Sequence, residues 1–145
     1  MHPPINIFSG ESGLGAALTN PTQMARLKGR LERDYPVMYQ GQRWPDVESA
    51  YKALAAGEAS EAVRQALLVE LIAHKFQQHP QLRAEVIRRG GSAWLTTCSH
   101  FTQARTARAQ RWEGEGLASP FIQVLVAGFE RSAQPFREQG QQALF

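Results

Sequence analysis

The segment Tyr35–Leu54, YPVMYQGQRWPDVESAYKAL, combines the signals of a hairpin, a helix start and an acidic residue. Val37–Tyr39 and Gln42–Trp44 are short β-prone runs, and the Gln-Gly pair between them supplies the positive φ that a tight turn needs. The proline that follows has no N–H to donate, so strand pairing stops there. Asp46 is a preferred N-cap. The segment therefore predicts a hairpin followed by a helix from about Asp46, ended by the glycine at position 57.

Glu48 falls in the first turn of that predicted helix. The unpaired N–H groups and the partial positive charge of a helix start favour an ionised carboxylate. An anionic carboxylate at the end of a hairpin, close to Tyr39, Arg43 and Trp44, predicts the floor of a polar site. Acidic residues also favour first turns for reasons unrelated to any site, and the position alone does not separate the two explanations.

The composition is that of one globular domain, 1–145, with 145 residues, 43% hydrophobic and 20% charged. No apolar run approaches a membrane span, and the N-terminus has no signal-peptide pattern. A lone cysteine, Cys98, suits a reducing cytoplasm. The net charge is +3, and 13 of the 16 basic residues are arginine, whose planar fork suits phosphate or carboxylate. An ordinary arginine-rich surface explains the same count.

Several helices are predicted after the hairpin. Ser60 caps a long one with a broad apolar face, and Pro80 or Gln81 begins another that runs to Arg89 and the Gly-Gly stop. Trp94–Cys98 is β-prone and predicts a strand or a buried connection. Ser119 followed by proline starts a last apolar helix. Ile5–Phe8 predicts a short strand, and the tail 134–145 is predicted to be loose.

Three further features bear on function. Lys75 lies close to the apolar side of the long helix, where it either snorkels to the surface, the better fit to its spacing, or points at an anion in a cavity. Arg105, Arg108 and Arg111 repeat at helical spacing and form either a phosphate-binding stripe or an exposed face. Cys98 and His100 are two residues apart, which does not indicate a catalytic dyad. No metal-ligand cluster is present, and no cofactor is predicted.

These motifs, in this order, resemble those of the NADAR (YbiA-like) family of N-glycosidases across roughly residues 5–133. The family pattern has an aromatic-Ser strand, a Leu-Ser-Asn segment, a hairpin closing on a Pro-Ser-Val-Glu motif, a Lys-Phe helix end, a Thr-Gly segment and a Trp-Gly-x-Gly loop. The matching segments here are Phe8-Ser9, Leu18-Thr19-Asn20, Trp44–Lys52, Lys75–Pro80, Gly91–Leu95 and Trp112–Gly116.

The resemblance implies a mainly α, single-domain YbiA-like fold with a small β hairpin. It also implies cleavage of a C–N bond between ribose and a base-like group, in phosphorylated riboflavin intermediates or in ADP-ribose attached to a nucleobase. Glu48 takes the place of the family glutamate and is the expected catalytic residue. The expected substrate-binding residues are Asn20, Trp44, Ser49, Lys52, Lys75, Trp112, Glu113 and Glu115. Nucleic acid is expected only as a modified substrate, and no membrane partner is expected.

The chain departs from the family pattern at several site positions. Ser49 occupies the position of the family histidine, Lys52 that of its glutamine and Ala55 that of a later lysine. Ala109 replaces an acidic residue, whose place Glu113 or Glu115 would have to take. Two hypotheses follow: a divergent N-glycosidase, or a non-catalytic relative that binds an ADP-ribosyl or nucleotide ligand.

Overall fold

The structure, a computed structural model, describes residues 2–134. This part of the chain is mainly helical and carries two small antiparallel sheets. The helices are α1 (Leu14–Ala17), α2 (Thr22–Leu27), α3 (Val47–Leu54), α4 (Glu61–Gln78), α5 (Pro80–Arg89), α6 (Gly91–Leu95), α7 (Ala107–Gln110), a 3₁₀ turn (Gly116–Ala118) and α8 (Pro120–Arg131). The strands are β1 (Val37–Tyr39), β2 (Gln42–Trp44), β3 (Ser99–His100) and β4 (Gly114–Glu115).

The predicted hairpin is confirmed. β1 and β2 pair antiparallel with Val37 opposite Trp44 and Tyr39 opposite Gln42. Gln40 and Gly41 have φ of 52° and 78°, which is the left-handed backbone of a two-residue turn. Glycine takes this conformation without strain, and this explains the Gln-Gly pair at the tip.

The start of α3 is tied to the start of α2 and to the residue Asn20 just before it. Asp46 caps α3 as predicted, with Oδ1 accepting a hydrogen bond from the Ser49 N–H at 2.7 Å. Its second oxygen accepts from the Gln23 N–H at 2.9 Å. The Glu48 N–H donates to the Asn20 carbonyl at 3.2 Å. One buried carboxylate and one backbone bond therefore hold the residues around Asn20 against the first turn of α3.

The core forms where α4 and α8 pack together. The predicted caps are confirmed: Ser60 Oγ accepts from the Val63 N–H and Ser119 Oγ from the Ile122 N–H. The side chains that meet here are almost entirely buried, and they include Leu71, Ile72, Phe76, Ile122, Leu125 and Phe129. None of the helices in residues 2–134 is long and apolar enough to cross a bilayer.

The strand predicted at Ile5–Phe8 was wrong, and so was one of the two alternatives predicted for Trp94–Cys98. Ile5–Phe8 is not a strand, because it contributes only an isolated bridge between Asn6 and Ser99. Trp94–Cys98 is not a strand; it begins within α6 and continues as a connection in which Trp94, Leu95 and Cys98 are buried, in agreement with the second alternative. The hydroxyls of Thr96 and Thr97 bond to carbonyls three residues earlier. Such local bonds satisfy backbone acceptors without a strand partner. The tail, predicted to be loose, lies outside the described residues from position 135 onward.

We expect Gly128→Ala to destabilise the protein, although alanine normally favours a helix by about 1 kcal/mol. A Cβ at Gly128 would lie 2.4 Å from Ile72 Cγ2 and 2.7 Å from Ile72 Cβ, so α8 and α4 would have to separate. Overpacking of this kind costs roughly 1–3 kcal/mol or more. Urea unfolding should show a net loss of about 2 kcal/mol, and a stabilised variant would contradict the packing described. Ala127→Gly, on the same turn, is the control and should cost about 1 kcal/mol.

Candidate functional site

A cavity of about 690 Å³ lies beside the first turns of α3 and α4. This volume is in the range of pockets that hold small organic ligands, roughly 300–1,000 Å³. Its charged lining comprises the carboxylates Glu48 and Glu61 and the cations Lys52, Arg64, Arg108 and Arg111. Its aromatic lining comprises Phe8, Tyr51, His100, Trp112 and Phe121. The cavity therefore combines acidic, basic and stacking groups in one space.

Glu48 lines this cavity with a side chain that is 34% exposed. One carboxylate oxygen lies 3.8 Å from Lys52 Nζ, one helical turn further on. Burial raises the pKa of Glu48 above its usual value, and the nearby Lys52 ammonium only partly offsets this. The sequence led us to expect that the helix start would favour the ionised form, but desolvation outweighs that effect.

Asn20 lines the cavity next to Glu48 and is 9% exposed. Its carbonyl accepts the N–H of Glu48 and also that of Thr22, so its backbone is fixed on both sides. This explains why two residues far apart in the sequence share one wall. The predicted binding residues Lys52 and Trp112 line the same cavity.

Lys75 is buried, 3% exposed, and does not line the cavity. Its Nζ donates to the carbonyls of Ala17 and Thr19, at 2.6 and 2.7 Å. The expectation that it snorkels to the surface was wrong, because carbonyl oxygens at and just after the end of α1 accept hydrogen bonds from its ammonium in the interior. Burial lowers the pKa of Lys75 to about 7, although Asp46 acts in the opposite direction. Lys75 holds the backbone next to Asn20 and does not reach a ligand itself.

The arginine stripe divides between the cavity and the surface. Arg108 and Arg111 line the cavity, whereas Arg105 does not. The reason is that α7 covers only Ala107–Gln110, so Arg105 precedes the helix and does not share its face. Of the three predicted arginines, only Arg108 and Arg111 therefore contribute positive charge to the cavity. Lys52 of α3 and Arg64 of α4 contribute further positive charge.

Of the three site residues predicted in the loop after α7, only Trp112 lines the cavity. The Trp112 carbonyl accepts a hydrogen bond from Ser119 Oγ at 2.6 Å, which ties the loop to the cap of α8. Glu113 does not line the cavity; its carboxylate accepts from the N–H and hydroxyl of Thr102 at 2.6 and 2.7 Å. These bonds lower the pKa of Glu113. Glu115 is exposed and also lies outside the lining.

Trp44 and Ser49 do not line the cavity either. Ser49 contributes its N–H to the Asp46 cap. Tyr39, which was expected near the site, packs edge-on against His74 with ring centroids 5.0 Å apart. The hairpin therefore packs against α4 and does not form the floor of the site.

Sequence reasoning missed Glu61, Arg64 and His100. Glu61, Arg64, Gln65 and Leu68 have the spacing i, i+3, i+4 and i+7, which puts them on one face of α4, and all four line the cavity. The mixture of polar and apolar residues on that face of α4 was the sequence feature that could have indicated a cavity there. His100 is placed by the β3–β4 pairing, which connects segments that are distant in the sequence and carries no local signature.

Within residues 2–134, no three His, Cys, Asp or Glu side chains come together as a metal site would require. Comparisons with protein-family models, with curated proteins and with solved structures found no match.

Proposed function

We propose that this protein is a divergent N-glycosidase that hydrolyses the C–N bond between a phosphoribosyl or ADP-ribosyl group and a base-like leaving group. The observation that carries the proposal is the position of Glu48. Its carboxylate belongs to the wall of a cavity that also contains four cationic side chains and several aromatic rings among the described residues.

Hydrolysis of an N-riboside passes through a ribosyl cation with oxocarbenium character. A carboxylate held beside the anomeric carbon stabilises that charge, and its effect is larger in a partly desolvated site than in water. Glu48 meets this need because Asn20 fixes its backbone and burial removes part of its hydration. Lys52, at 3.8 Å, favours the ionised form that the role requires.

The remaining lining suits the other parts of such a substrate. Arg108 and Arg111 face the cavity from one side and Arg64 and Lys52 from the other helices, an arrangement fit for one or two phosphate groups. Trp112 offers an aromatic face on which a base can stack.

The motif resemblance supports the same reading. A YbiA-like fold would place the segment Trp44–Lys52 at the active site, and Glu48 and Lys52 of that segment line the cavity. Ala109, which stands where the family has an acidic residue, lines it as well. The second carboxylate of this cavity comes from Glu61, not from Glu113 or Glu115. Glu61, from α4, is thus the candidate in this cavity for the role of the family acid.

A second candidate function is binding without catalysis. The observation that favours it is that Glu113 and Glu115, the expected replacements for the lost acid, both lie outside the cavity. In this case the protein would hold an ADP-ribosyl or nucleotide ligand and leave the glycosidic bond intact.

One experiment separates the two functions. Purified protein is incubated with phosphorylated N-ribosyl pyrimidines and with ADP-ribosylated guanine, and mass spectrometry measures the released sugar phosphate or ADP-ribose. Titration calorimetry with ADP-ribose measures binding in parallel. Turnover supports the glycosidase, and saturable binding without turnover supports the binding module. If neither is detected with any of these compounds, both functions are wrong.

We expect the double variant Arg108→Gln, Arg111→Gln to weaken ADP-ribose binding by about 100-fold or more, since each charge-assisted bond to phosphate contributes roughly 1.5–3 kcal/mol. Calorimetry at low and at physiological salt measures this. Arg105→Gln, a change of the same kind just outside the cavity, is the control and should bind normally. If the control and the double variant lost the same amount of ADP-ribose affinity, the effect would come from net charge alone and not from contacts in the cavity.

A further inference from the structure

The cavity contains an imidazole that neither the motif pattern nor the proposal above uses. His100, the second residue of β3, lines the cavity and is partly buried. Its ring lies against Phe121 with centroids 4.4 Å apart, so its orientation is restrained by packing.

The hydrogen bond of one ring nitrogen determines the state of the other. His100 Nδ1 is 2.7 Å from the Ile7 carbonyl oxygen. A carbonyl oxygen only accepts, so Nδ1 must carry a proton, and in the neutral ring Nε2 is then an unprotonated acceptor. Nε2 forms no hydrogen bond with any of the residues 2–134. The neutral imidazole thus has a free basic nitrogen on a ring that borders the cavity.

The surroundings keep this imidazole neutral near pH 7. Burial lowers the pKa of His100 and outweighs both the Ile7 hydrogen bond and the charge of Glu113, which act in the opposite direction. Ile7 and Phe121, on the other elements packed against the ring, carry no charge. Glu115, on the paired strand, is exposed to solvent.

We propose that His100 is a second catalytic residue of this cavity, whose Nε2 accepts a proton from the water that attacks the ribosyl anomeric carbon. This inference rests on the glycosidase function proposed above. The water oxygen bonds to the anomeric carbon as the C–N bond breaks, and the electron pair of that bond remains on the leaving nitrogen. The water proton passes to Nε2 and then to solvent, and the leaving nitrogen takes up a proton from solvent. Glu48 remains ionised and stabilises the ribosyl cation.

The test uses two substitutions that differ in which ring nitrogen they imitate. His100→Asn places an amide N–H near the position of Nδ1, so the bond to the Ile7 carbonyl is kept while Nε2 is lost. His100→Gln places its amide nearer to Nε2 and gives up the Ile7 bond. Activity, ADP-ribose affinity and thermal stability are measured for both variants and for the wild type.

We expect His100→Asn to retain its stability and its ADP-ribose affinity but to lose about 100-fold or more in kcat, the usual range for removal of a general base. In the wild type, kcat should fall with decreasing pH as His100 becomes protonated. The residual activity of His100→Asn should lose this contribution and keep only the fall caused by protonation of Glu48, whose pKa burial raises. His100→Gln should be less stable than His100→Asn. A variant His100→Asn with normal kcat would overturn the proposal, because His100 would then only anchor the segment at Ile7.

Nitrogen NMR of the wild type gives a readout that does not depend on turnover. The Nδ1–H tautomer should predominate at neutral pH, and the Nε2 signal should shift when ADP-ribose is added. An Nε2–H tautomer, or no shift on saturation with ADP-ribose, would overturn the role of His100 and leave the glycosidase function standing. Failure of the wild type to turn over any substrate would instead overturn both the role of His100 and the glycosidase function.

Discussion

Glu48→Gln should reduce the release of sugar by about 100- to 1,000-fold, while the protein remains folded. The amide is nearly the same size as the carboxylate, so the shape of the cavity is preserved. The amide carries no negative charge to stabilise the ribosyl cation that develops. Removal of one such electrostatic group costs about 100- to 1,000-fold in kcat. The measurement is single-turnover kinetics with saturating substrate, which reports on the chemical step alone.

Glu130→Gln is the matched control for this variant. Glu130 is an exposed residue near the end of α8 and does not line the cavity, so its replacement should leave the rate unchanged. Circular dichroism and thermal melting confirm that both variants are folded. A Glu48→Gln variant with more than half of the wild-type rate would show that Glu48 has no part in the reaction.

Lys75→Met should cause a large loss of stability at alkaline pH, where the wild-type amine is uncharged in both the folded and the unfolded chain. Methionine has a similar length but cannot donate, so the carbonyls of Ala17 and Thr19 would lose the partners at 2.6 and 2.7 Å. Each unsatisfied buried carbonyl costs roughly 1–3 kcal/mol. We expect a loss of about 3 kcal/mol in the free energy of unfolding at alkaline pH, measured by urea denaturation.

The stability lost in Lys75→Met should increase as the pH rises above 7. The pKa of Lys75 is about 7 in the folded protein, against 10.5 as its ordinary value. Between these values the unfolded chain binds more protons, so the wild type gains stability as the pH rises. The difference between wild type and variant should therefore grow between pH 7 and pH 10.5 by at most about 1.4 kcal/mol per unit, and it should be constant below pH 7.

Lys28→Met, which removes an exposed lysine, is the control for this pH dependence. Its free energy of unfolding should follow that of the wild type across the same range. If the difference between wild type and Lys75→Met shrinks as the pH rises from 7, then the pKa of Lys75 is raised in the folded state and burial is not the dominant effect.

The parts of the fold that local chemistry determines were predictable from the sequence. The Gln-Gly turn, the Asp46 cap, the Ser60 cap and the Ser-Pro start of α8 each depend on residues within a few positions of one another. The strand alternative at Trp94–Cys98 was wrong because β propensity has an effect only where a partner strand is available.

The candidate site was less predictable because its members come from many segments. Glu48 was found through its helix position, yet the residues that share its cavity, Glu61, Arg64 and His100, are placed by tertiary packing. The position of Lys75 could not be inferred from helical spacing, since the carbonyls that hold its ammonium belong to residues near α1. The pKa of Glu48 likewise depends on burial, which the sequence does not give directly.

The most direct test of the proposed function is a crystal structure of Glu48→Gln with ADP-ribose bound. We predict that the ribose anomeric carbon lies against residue 48 and that the phosphates contact Arg108 and Arg111. ADP-ribose bound elsewhere on the surface, or a side chain at position 48 turned away from the sugar, would contradict the assignment of this cavity as a glycosidase site.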